Sequence, residues 1–436
     1  MHDEVIRSID VEDIRFPLGE LGSGSDANNP QPDYSNALVT MTTSDGVGFG
    51  IGFTLGRGNE MVCAAVRELA PVVTGRRVDE LVGTFGGVWR ELANPLQSRW
   101  IAPGGGPYHM AAGAIANALF DRWAKRRELP LWKALSSLDP QQIVEMLDFR
   151  YVEHLLSRQE ALELLEANAP ERQRRVAELE ASGLPCYHTT WIGSDTGDLL
   201  DEIAAVRERR GVGVFKVKVG RDLDHDRERL AAIRLRFGDT VELLVDANQV
   251  WSVPEAIRWM KALQEYGVRW IEEPTAPDQV DGHRRIRNGL AGTGIEVVTG
   301  ENCPNSHVAA QFIASGAVDR FQIDACRVMG PPENILIMLV AAKYRVPVCP
   351  HAGGSGLDEL VPHLAAFDYV CCAPDADRRV VEQVGFCAEH FEAPAVVRDG
   401  RVLASERPGY LVGMKTDSRD RHRYPDGPVW TAKGGV

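Results

Sequence analysis

At 436 residues with a formal net charge of −14, the chain is too long for one small core and too acidic for a nucleic-acid partner, whose phosphates demand basic surface. The same charge disfavours anionic membranes, and no uninterrupted apolar stretch approaches the length that spans a bilayer. The eight cysteines show no CxxC pair and no disulfide-like spacing. With an acidic N-terminus that lacks an apolar core, this predicts a cytoplasmic protein.

Val5 to Phe16 alternates apolar and polar residues, as a half-buried strand does. Gly22 to Ser35, rich in Gly, Ser, Asn and Pro, reads as a long functional loop. Ala37 to Thr42 and Gly48 to Phe53 are two further strands, split by the turn Ser44-Asp45-Gly46. Helices are predicted over Asn59 to Leu69, Val78 to Leu92 and Met110 to Arg127. The last carries Ala112, Ile115, Ala118, Leu119 and Trp123 on one face. From about Asp148 strands alternate with helices, as in a parallel sheet. Those helices are Leu199 to Arg209, Asp224 to Phe237, Pro254 to Tyr266, Gly282 to Asn288, Ser306 to Ser315, Pro332 to Tyr344 and Gly356 to Phe367. After about Glu392 the alternation stops.

Six apolar runs in the alternating region each end in an ionisable residue. They are VFKVKVG (Lys216, Lys218), LLVDAN (Asp246, Asn248), RWIEEP (Glu272, Glu273), VVTGEN (Glu301), RFQIDAC (Asp324) and VPVCPH (His351). Their spacing of roughly 23 to 30 residues is about one βα unit of a barrel, whose chemistry sits at the strand C-termini. Glu382, after Val380-Val381, fits an eighth strand.

Each of these residue types constrains the chemistry. Lys216 and Lys218, two apart in a strand, share a face. Each makes protonation of the other costlier, so their pKa values are expected to fall toward neutrality, as a general base requires. The plainer alternative, two solvated lysines on an edge strand, conflicts with the apolar Phe215, Val217 and Val219. Asp246, Glu272 and Glu301 come from three successive strands. Without a cation they repel, and all-oxygen ligation points to Mg²⁺, with Mn²⁺ possible. The alternative is pairing with Arg269 or Arg327. Of Glu272 and Glu273 only one faces inward, and Glu272 is the expected ligand with Glu273 behind it. Asp324 and His351 lie on adjacent strands. A carboxylate on one imidazole nitrogen fixes the tautomer and leaves the other for acid–base work. The other histidines are expected to lack such a partner; His109, after a glycine-rich loop, stays open.

A base and an acid flanking a metal suit one reaction. The base removes the proton α to a carboxylate, and the acid protonates a departing β-hydroxyl. General acid–base help of about 10²–10⁴-fold does not suffice alone, and several kcal/mol of charge stabilisation by the metal complements it.

Lys-x-Lys, Asp-x-Asn, Glu-Glu-Pro, Gly-Glu, the Asp–His pair and the late Glu together resemble the enolase superfamily, in its mandelate-racemase-like branch. There a Lys or His base works with Mg²⁺ to stabilise an ene-diolate. Within that branch the likeness is strongest to the L-fuconate dehydratases. It is carried by Gly24-Ser25-Asp26-Ala27, Pro32-Asp33-Tyr34-Ser35, Asp148-Phe149-Arg150-Tyr151, Pro350-His351-Ala352-Gly353-Gly354 and Tyr424-Pro425-Asp426-Gly427. The resemblance implies an α/β fold, a modified TIM (β/α) barrel with an N-terminal α+β capping domain completed by the C-terminal tail. It divides the chain into a cap (1–140), a barrel (141–392) and a segment packing back on the cap (393–436). It implies Mg²⁺ on Asp246, Glu272 and Glu301, Lys218 as base, and His351, paired with Asp324, as acid. Lys216 would touch the substrate carboxylate, and Glu382 would be an electrophilic group beside it. Asn248 and Asp26 join them as substrate contacts. The implied partner is a small sugar acid, dehydrated to a 2-keto-3-deoxy acid, and a homo-oligomer is expected.

Three stretches depart from the family pattern: Gly104 to Gly106, Thr189 to Trp191, and Asn302-Cys303. They are expected to border the distal hydroxyls and so to bear on which acid is used. A racemase or epimerase on the same scaffold, a Schiff-base aldolase and a non-catalytic binding protein are the competing functions.

Overall fold

The computed structural model describes residues 3–17, 24–30, 33–93, 100–102, 104–373 and 379–432. Gly22, Ser23, Gln31 and Pro32 of the long loop, and Pro103 beside the glycine run, lie outside the described residues.

The N-terminal strands β1 (Ile6–Phe16), β2 (Tyr34–Thr43) and β3 (Val47–Thr54) form an antiparallel meander. Helices α1 (Asn59–Val73), α2 (Val78–Gly83), α3 (Phe85–Ala93) and α4 (Gly106–Arg126) follow. One predicted helix, Val78 to Leu92, is thus two. The break falls at Gly83-Thr84, both weak helix formers, and the Thr84 N–H closes the first helix on the Glu80 carbonyl. Helix α4 is buried almost all round, not on one face, because it is wedged between the meander, α1 and the later helix Gly330–Tyr344. A Cβ at Gly50 would stand 2.1 Å from the Ala114 carbonyl oxygen, so β3 approaches α4 only because that position is glycine. Asn117 of α4 donates to the Ala325 carbonyl at 2.9 Å, fixing the helix to the barrel.

Four helices connect the two halves: α5 (Leu131–Ser136), α6 (Pro140–Glu145), α7 (Arg158–Asn168) and α8 (Arg172–Ser182). The sequence reading did not place them. Two of their starts carry a signal, since Asp139 with Gln142 and Ser157 with Glu160 form capping boxes.

The barrel runs β4 (Leu184–Thr189), α9 (Thr196–Arg210), β5 (Val214–Lys218), α10 (Leu223–Phe237), β6 (Glu242–Asp246), α11 (Val253–Leu263), β7 (Val268–Glu272), α12 (Val280–Gly289), β8 (Glu296–Thr299), α13 (Ser306–Ala314), β9 (Arg320–Phe321), α14 (Gly330–Tyr344), α15 (Leu357–Phe367) and β10 (Val381–Glu382). Strands β4 to β9 pair in parallel, each with the next, and β10 pairs in parallel with β4. Residues Val348 to Pro350 bridge β9 and β10: Val348 pairs with Phe321, Cys349 N–H donates to Phe321 O at 2.9 Å, and Glu382 N–H donates to Pro350 O at 3.4 Å. The ring therefore closes through eight positions, the barrel arrangement that the sequence rhythm predicts. Its first strand, β4, escaped the sequence reading because Pro185, which supplies no ladder donor, interrupts it.

The tail corrects one expectation. Strands β11 (Val397–Arg398) and β12 (Arg401–Val402) form a hairpin, and β12 pairs antiparallel with the N-terminal half of β4. Residues after 392 therefore do not pack on the cap alone. Only the later part returns there: helix α16 (Thr416–His422), ahead of the short α17 (Pro428–Thr431), brings Arg419 and Arg423 onto Glu12 of β1, and Arg15 stacks over Tyr424.

Candidate active site

The parallel register fixes the chemistry. Lys218 pairs with Asp246, and Asp246 with Glu272, at the C-terminal ends of β5, β6 and β7. Glu301 follows β8 after Gly300. That glycine has φ +139°, and a Cβ there would lie 2.1 Å from the Gln322 carbonyl oxygen, so only glycine lets the chain turn Glu301 inward. One oxygen from each of Asp246, Glu272 and Glu301 lies within 4.8 Å of the others. Among the described residues no other group of three potential ligands comes so close. Glu272 is fully buried, and its Oε2 has no hydrogen-bond partner. A buried carboxylate oxygen without a donor is costly, and an all-oxygen set with one orphaned lone pair fits a hard divalent cation. The alternative pairing fails: Arg269 bonds Glu242 and lies 3.7 Å from Glu296, and Arg327 makes no ion pair with the three acids.

The lysines differ from expectation. Lys218 Nζ stands 2.6 Å from Asp246 Oδ2. Burial pulls its pKa down, and Lys216 does too, but the attraction of Asp246, Glu301 and Glu272 outweighs both and the net shift is upward. Lys216 also moves upward, burial again being overcome by Glu272, Glu382 and Asp246. The expected mutual lowering fails because acids reaching across the barrel outnumber the two amines. A dication on the three acids would take over their neutralisation, the charge a neutral base needs nearby. Lys216 is also deeper than expected. It has no exposure and lies 2.9 Å from Glu382 and 3.5 Å from Asp246. It does not line the cavity at the barrel mouth but sits beneath it, held by Glu272, Glu382 and Asp246.

His351 and Asp324 meet as the sequence predicts, Nδ1 to Oδ2 at 2.7 Å. His351 Nε2 lies 3.1 Å from Glu301 Oε2 and 3.1 Å from the Gly353 N–H. The two contacts need opposite states: a protonated ring donates to Glu301, and an unprotonated one accepts from Gly353. Burial opposes the charge, yet Glu301, Asp324 and Glu382 raise the ring to about 10, so the donating state prevails near neutral pH.

Glu382 accepts from Thr189 and from the Ala352 N–H at 2.8 Å. Burial pushes it up, but Lys216, His351 and those donors hold it well below the usual carboxylate range. An electrophilic role needs a proton on Glu382, and these neighbours favour the bare carboxylate.

A cavity of about 310 Å³ opens over these groups, lined by Lys218, Glu301, His351 and Glu382 of the barrel and by Asp26, Tyr34, Phe53 and Leu55 of the N-terminal segment. Asn248 lines it too. Asp26 also lines it, but its carboxylate is spent on the N–H groups of Asn28 and Asn29 and on the Asn29 amide. It shapes the loop more than it offers a free ligand. Sequence reasoning missed the cavity residues Tyr34, Phe53, Leu55 and Arg327 as a set, since they converge only through the fold. Arg327, three residues after Asp324, reaches this wall instead of the three acids, and its side chain contacts Met110 Sδ at 3.8 Å.

Of the three departures, Thr189, Trp191 and Asn302 border this cavity. Gly104 does not. It lines a separate cavity of about 210 Å³ with His109, Tyr151 and His307. His109 Nε2 there bonds Glu333 at 2.8 Å, and His188 bonds Glu202 at 2.8 Å. Carboxylate-paired histidines therefore occur outside the mouth, contrary to expectation. A further cavity of about 660 Å³ lies under the tail between α15 and residues 392–407, away from the strand C-termini.

Residues 198–418 match the family of enolase C-terminal domain-like sequences. The mitochondrial enolase superfamily member 1 of Bos taurus is 43% identical over 435 residues, covering 99% of this chain and 98% of that protein. The L-galactonate dehydratase of Hypocrea jecorina is 41% identical over 431 residues, covering 98% and 95%. The crystal structure of human mitochondrial enolase superfamily member 1 superposes with a TM-score of 0.96 at 40% identity, covering 100% of both chains. No helix among the described residues is long and apolar enough to cross a membrane.

Proposed function

The chain belongs to the enolase superfamily, and we propose that it is a Mg²⁺-dependent sugar-acid dehydratase, a hydro-lyase. The observation that carries this reading is one cavity that brings together Lys218, the Asp324-bonded His351 and Glu301 of the three clustered acids. Asp246, Glu272 and Glu301 would hold the cation, which would supply positive charge beside the substrate carboxylate; Mn²⁺ would suit the same oxygen ligands.

Lys218 Nζ takes the proton from the carbon α to the carboxylate, and the C–H electron pair moves into the carboxylate. His351 Nε2–H protonates the β-hydroxyl, which leaves as water while that pair returns to form the C2–C3 double bond. The resulting enol tautomerises to a 2-keto-3-deoxy acid. Asp324 keeps the His351 proton on Nδ1 and the ring charged. Lys216, beneath the site, forms an ion pair with Glu382 of the cavity wall. Asn248 and Arg327 contact the substrate, and Asp26 shapes the loop above it.

The proposed substrate is L-fuconate. It is 6-deoxy-L-galactonate, so its reacting carbons have the configuration of the acid for which the Hypocrea jecorina relative is named. Phe53 and Leu55 in the cavity wall support a methyl group at C6. The test is turnover with Mg²⁺ across a stereochemical panel of aldonic acids, detecting 2-keto-3-deoxy products. L-Fuconate turnover abolished by EDTA and by Lys218→Ala supports the reading. Exchange of the α-proton with D₂O without water loss would make the protein a racemase or epimerase instead.

We also take residues 1–140 as the cap, 141–392 as the barrel, and 393–436 as a segment joining both. Eight free, buried cysteines support a reducing compartment such as the cytoplasm. The neighbouring exposed side chains Trp100 and Ile101 support self-association, which sedimentation velocity tests.

A further inference from the structure

Behind the three acids lies a second ring. Gln249 follows Asp246 by three residues, Glu273 follows Glu272, and Asn302 follows Glu301. Asn248, Gln249 and Glu273 have φ of 45°, 69° and 42°. Left-handed backbone at a non-glycine residue is costly and persists where the surroundings enforce it. Here the kink at Glu273 does a specific job. It turns the second of two adjacent acids away from the first, so that both are fully buried but in different layers. The kink at Gln249 sends its backbone N–H to the Glu273 carbonyl at 2.8 Å.

The side chains complete the ring. Gln249 Nε2 donates to both Glu273 oxygens, at 3.0 and 2.9 Å. Asn302 Nδ2 donates to Glu273 Oε1 at 3.1 Å and to Glu301 Oε1 at 2.8 Å. Both neighbours of this amide are acceptors only, so its NH₂ must face them. Glu301 is then gripped on both oxygens, by Asn302 at Oε1 and by His351 at Oε2. We propose that Asn302, anchored by Glu273 and Gln249, is the positioning residue that presents Glu301 to the divalent cation and so sets the metal affinity. The inference rests on the metal-dependent reading above, and its test does not use turnover.

Mn²⁺ binding to the full-length protein is measured by loss of the free Mn²⁺ signal in electron paramagnetic resonance, with thermal melts to check folding. Groups that orient metal ligands change affinity by about 10–100-fold when lost. Asn302→Leu keeps the shape and removes the donors, so its Mn²⁺ Kd should rise by about 10–100-fold with a nearly unchanged melt of the metal-free protein. Asn302→Gln, which keeps the amide, should stay within about threefold of the original, well inside that range. Gln249→Leu should weaken binding less, and the double variant should be no worse than Asn302→Leu, because both act through one chain of contacts. An unchanged Kd in Asn302→Leu overturns the proposal. So does a loss in Asn302→Gln as large as in Asn302→Leu, since shape would then matter and not the amide. A starting protein that binds no Mn²⁺ overturns the metal reading itself, a separate result.

Discussion

Replacing Asp324 by Asn isolates the proton donor. The Asp324 Oδ1 atom accepts the N–H groups of Cys326 at 2.6 Å and Arg327 at 3.0 Å, while Oδ2 faces His351 Nδ1 at 2.7 Å. An Asn at 324 must keep its oxygen toward those two backbone donors, because its NH₂ would meet them donor to donor. Its NH₂ therefore faces Nδ1. A ring that meets a donor there must present a lone pair, so the charged imidazolium is disfavoured and the remaining proton shifts to Nε2. The stake can be sized. Burial pulls His351 down, yet its neighbours lift it from 6.5 to about 10, which corresponds to roughly 5 kcal/mol of preference for the charged ring. Asp324 supplies part of this through both its hydrogen bond and its charge, with Glu301 and Glu382 supplying the rest.

The expected outcome is a fall in dehydration kcat of about 10²–10⁴-fold, roughly 3–5 kcal/mol. Exchange of the substrate α-proton with D₂O depends on Lys218 and should continue. The assay runs both on the same Asp324→Asn sample with L-fuconate and Mg²⁺, product by colorimetry and exchange by proton NMR. Dehydration within tenfold of the original, or exchange lost in step with dehydration, refutes the assignment of the acid to the Asp324–His351 pair.

Lys218→Ala should remove exchange and dehydration together, each by about 10²–10⁴-fold or more, as the same NMR experiment reads. Arg327→Met should raise KM by about 10–100-fold with a smaller change in kcat, the loss of a charged hydrogen bond of roughly 1.5–3 kcal/mol; steady-state kinetics check it. Burial and neighbouring acids push Glu272 well above the usual carboxylate range, so protons compete with a cation for its oxygens. Mg²⁺ affinity should therefore rise with pH, and saturation near 100 Kd should add about 2.7 kcal/mol of stability, visible as a melt that rises more at pH 8 than at pH 5. Burial lifts Asp358 from 3.8 to about 7. A raised acid favours the folded state below its unfolded pKa, and that advantage drains away as pH climbs from about 4 through 7. Asp358→Asn should thus raise the melting temperature at pH 8 and change it little at pH 4.

The cluster of Asp246, Glu272 and Glu301 was legible because each follows an apolar run, and a parallel register carries every run to the same rim. Sequence order supplied that alignment, since one βα unit follows another at nearly constant length. What it could not supply was distance across the ring. Lys216 and Lys218 are neighbours along a strand, and on that ground alone they should depress each other. Asp246, Glu272, Glu301 and Glu382 arrive from elsewhere in the chain and reverse the sign. The same blindness sent the glycine run at 104–106 to the wrong place: it sits beside His109 and His307, not over the acids. It also hid Tyr34, Phe53 and Leu55, which come from strand ends and loops of the meander and meet Trp191 and Arg327 only once α4 has locked the meander to the barrel. A barrel rim can be read from spacing because repetition encodes it. The wall of the cavity has no repeat, and three-dimensional packing alone decides which side chains form it. Substrate choice resides in that wall, so the chemistry of this chain was more legible than its substrate.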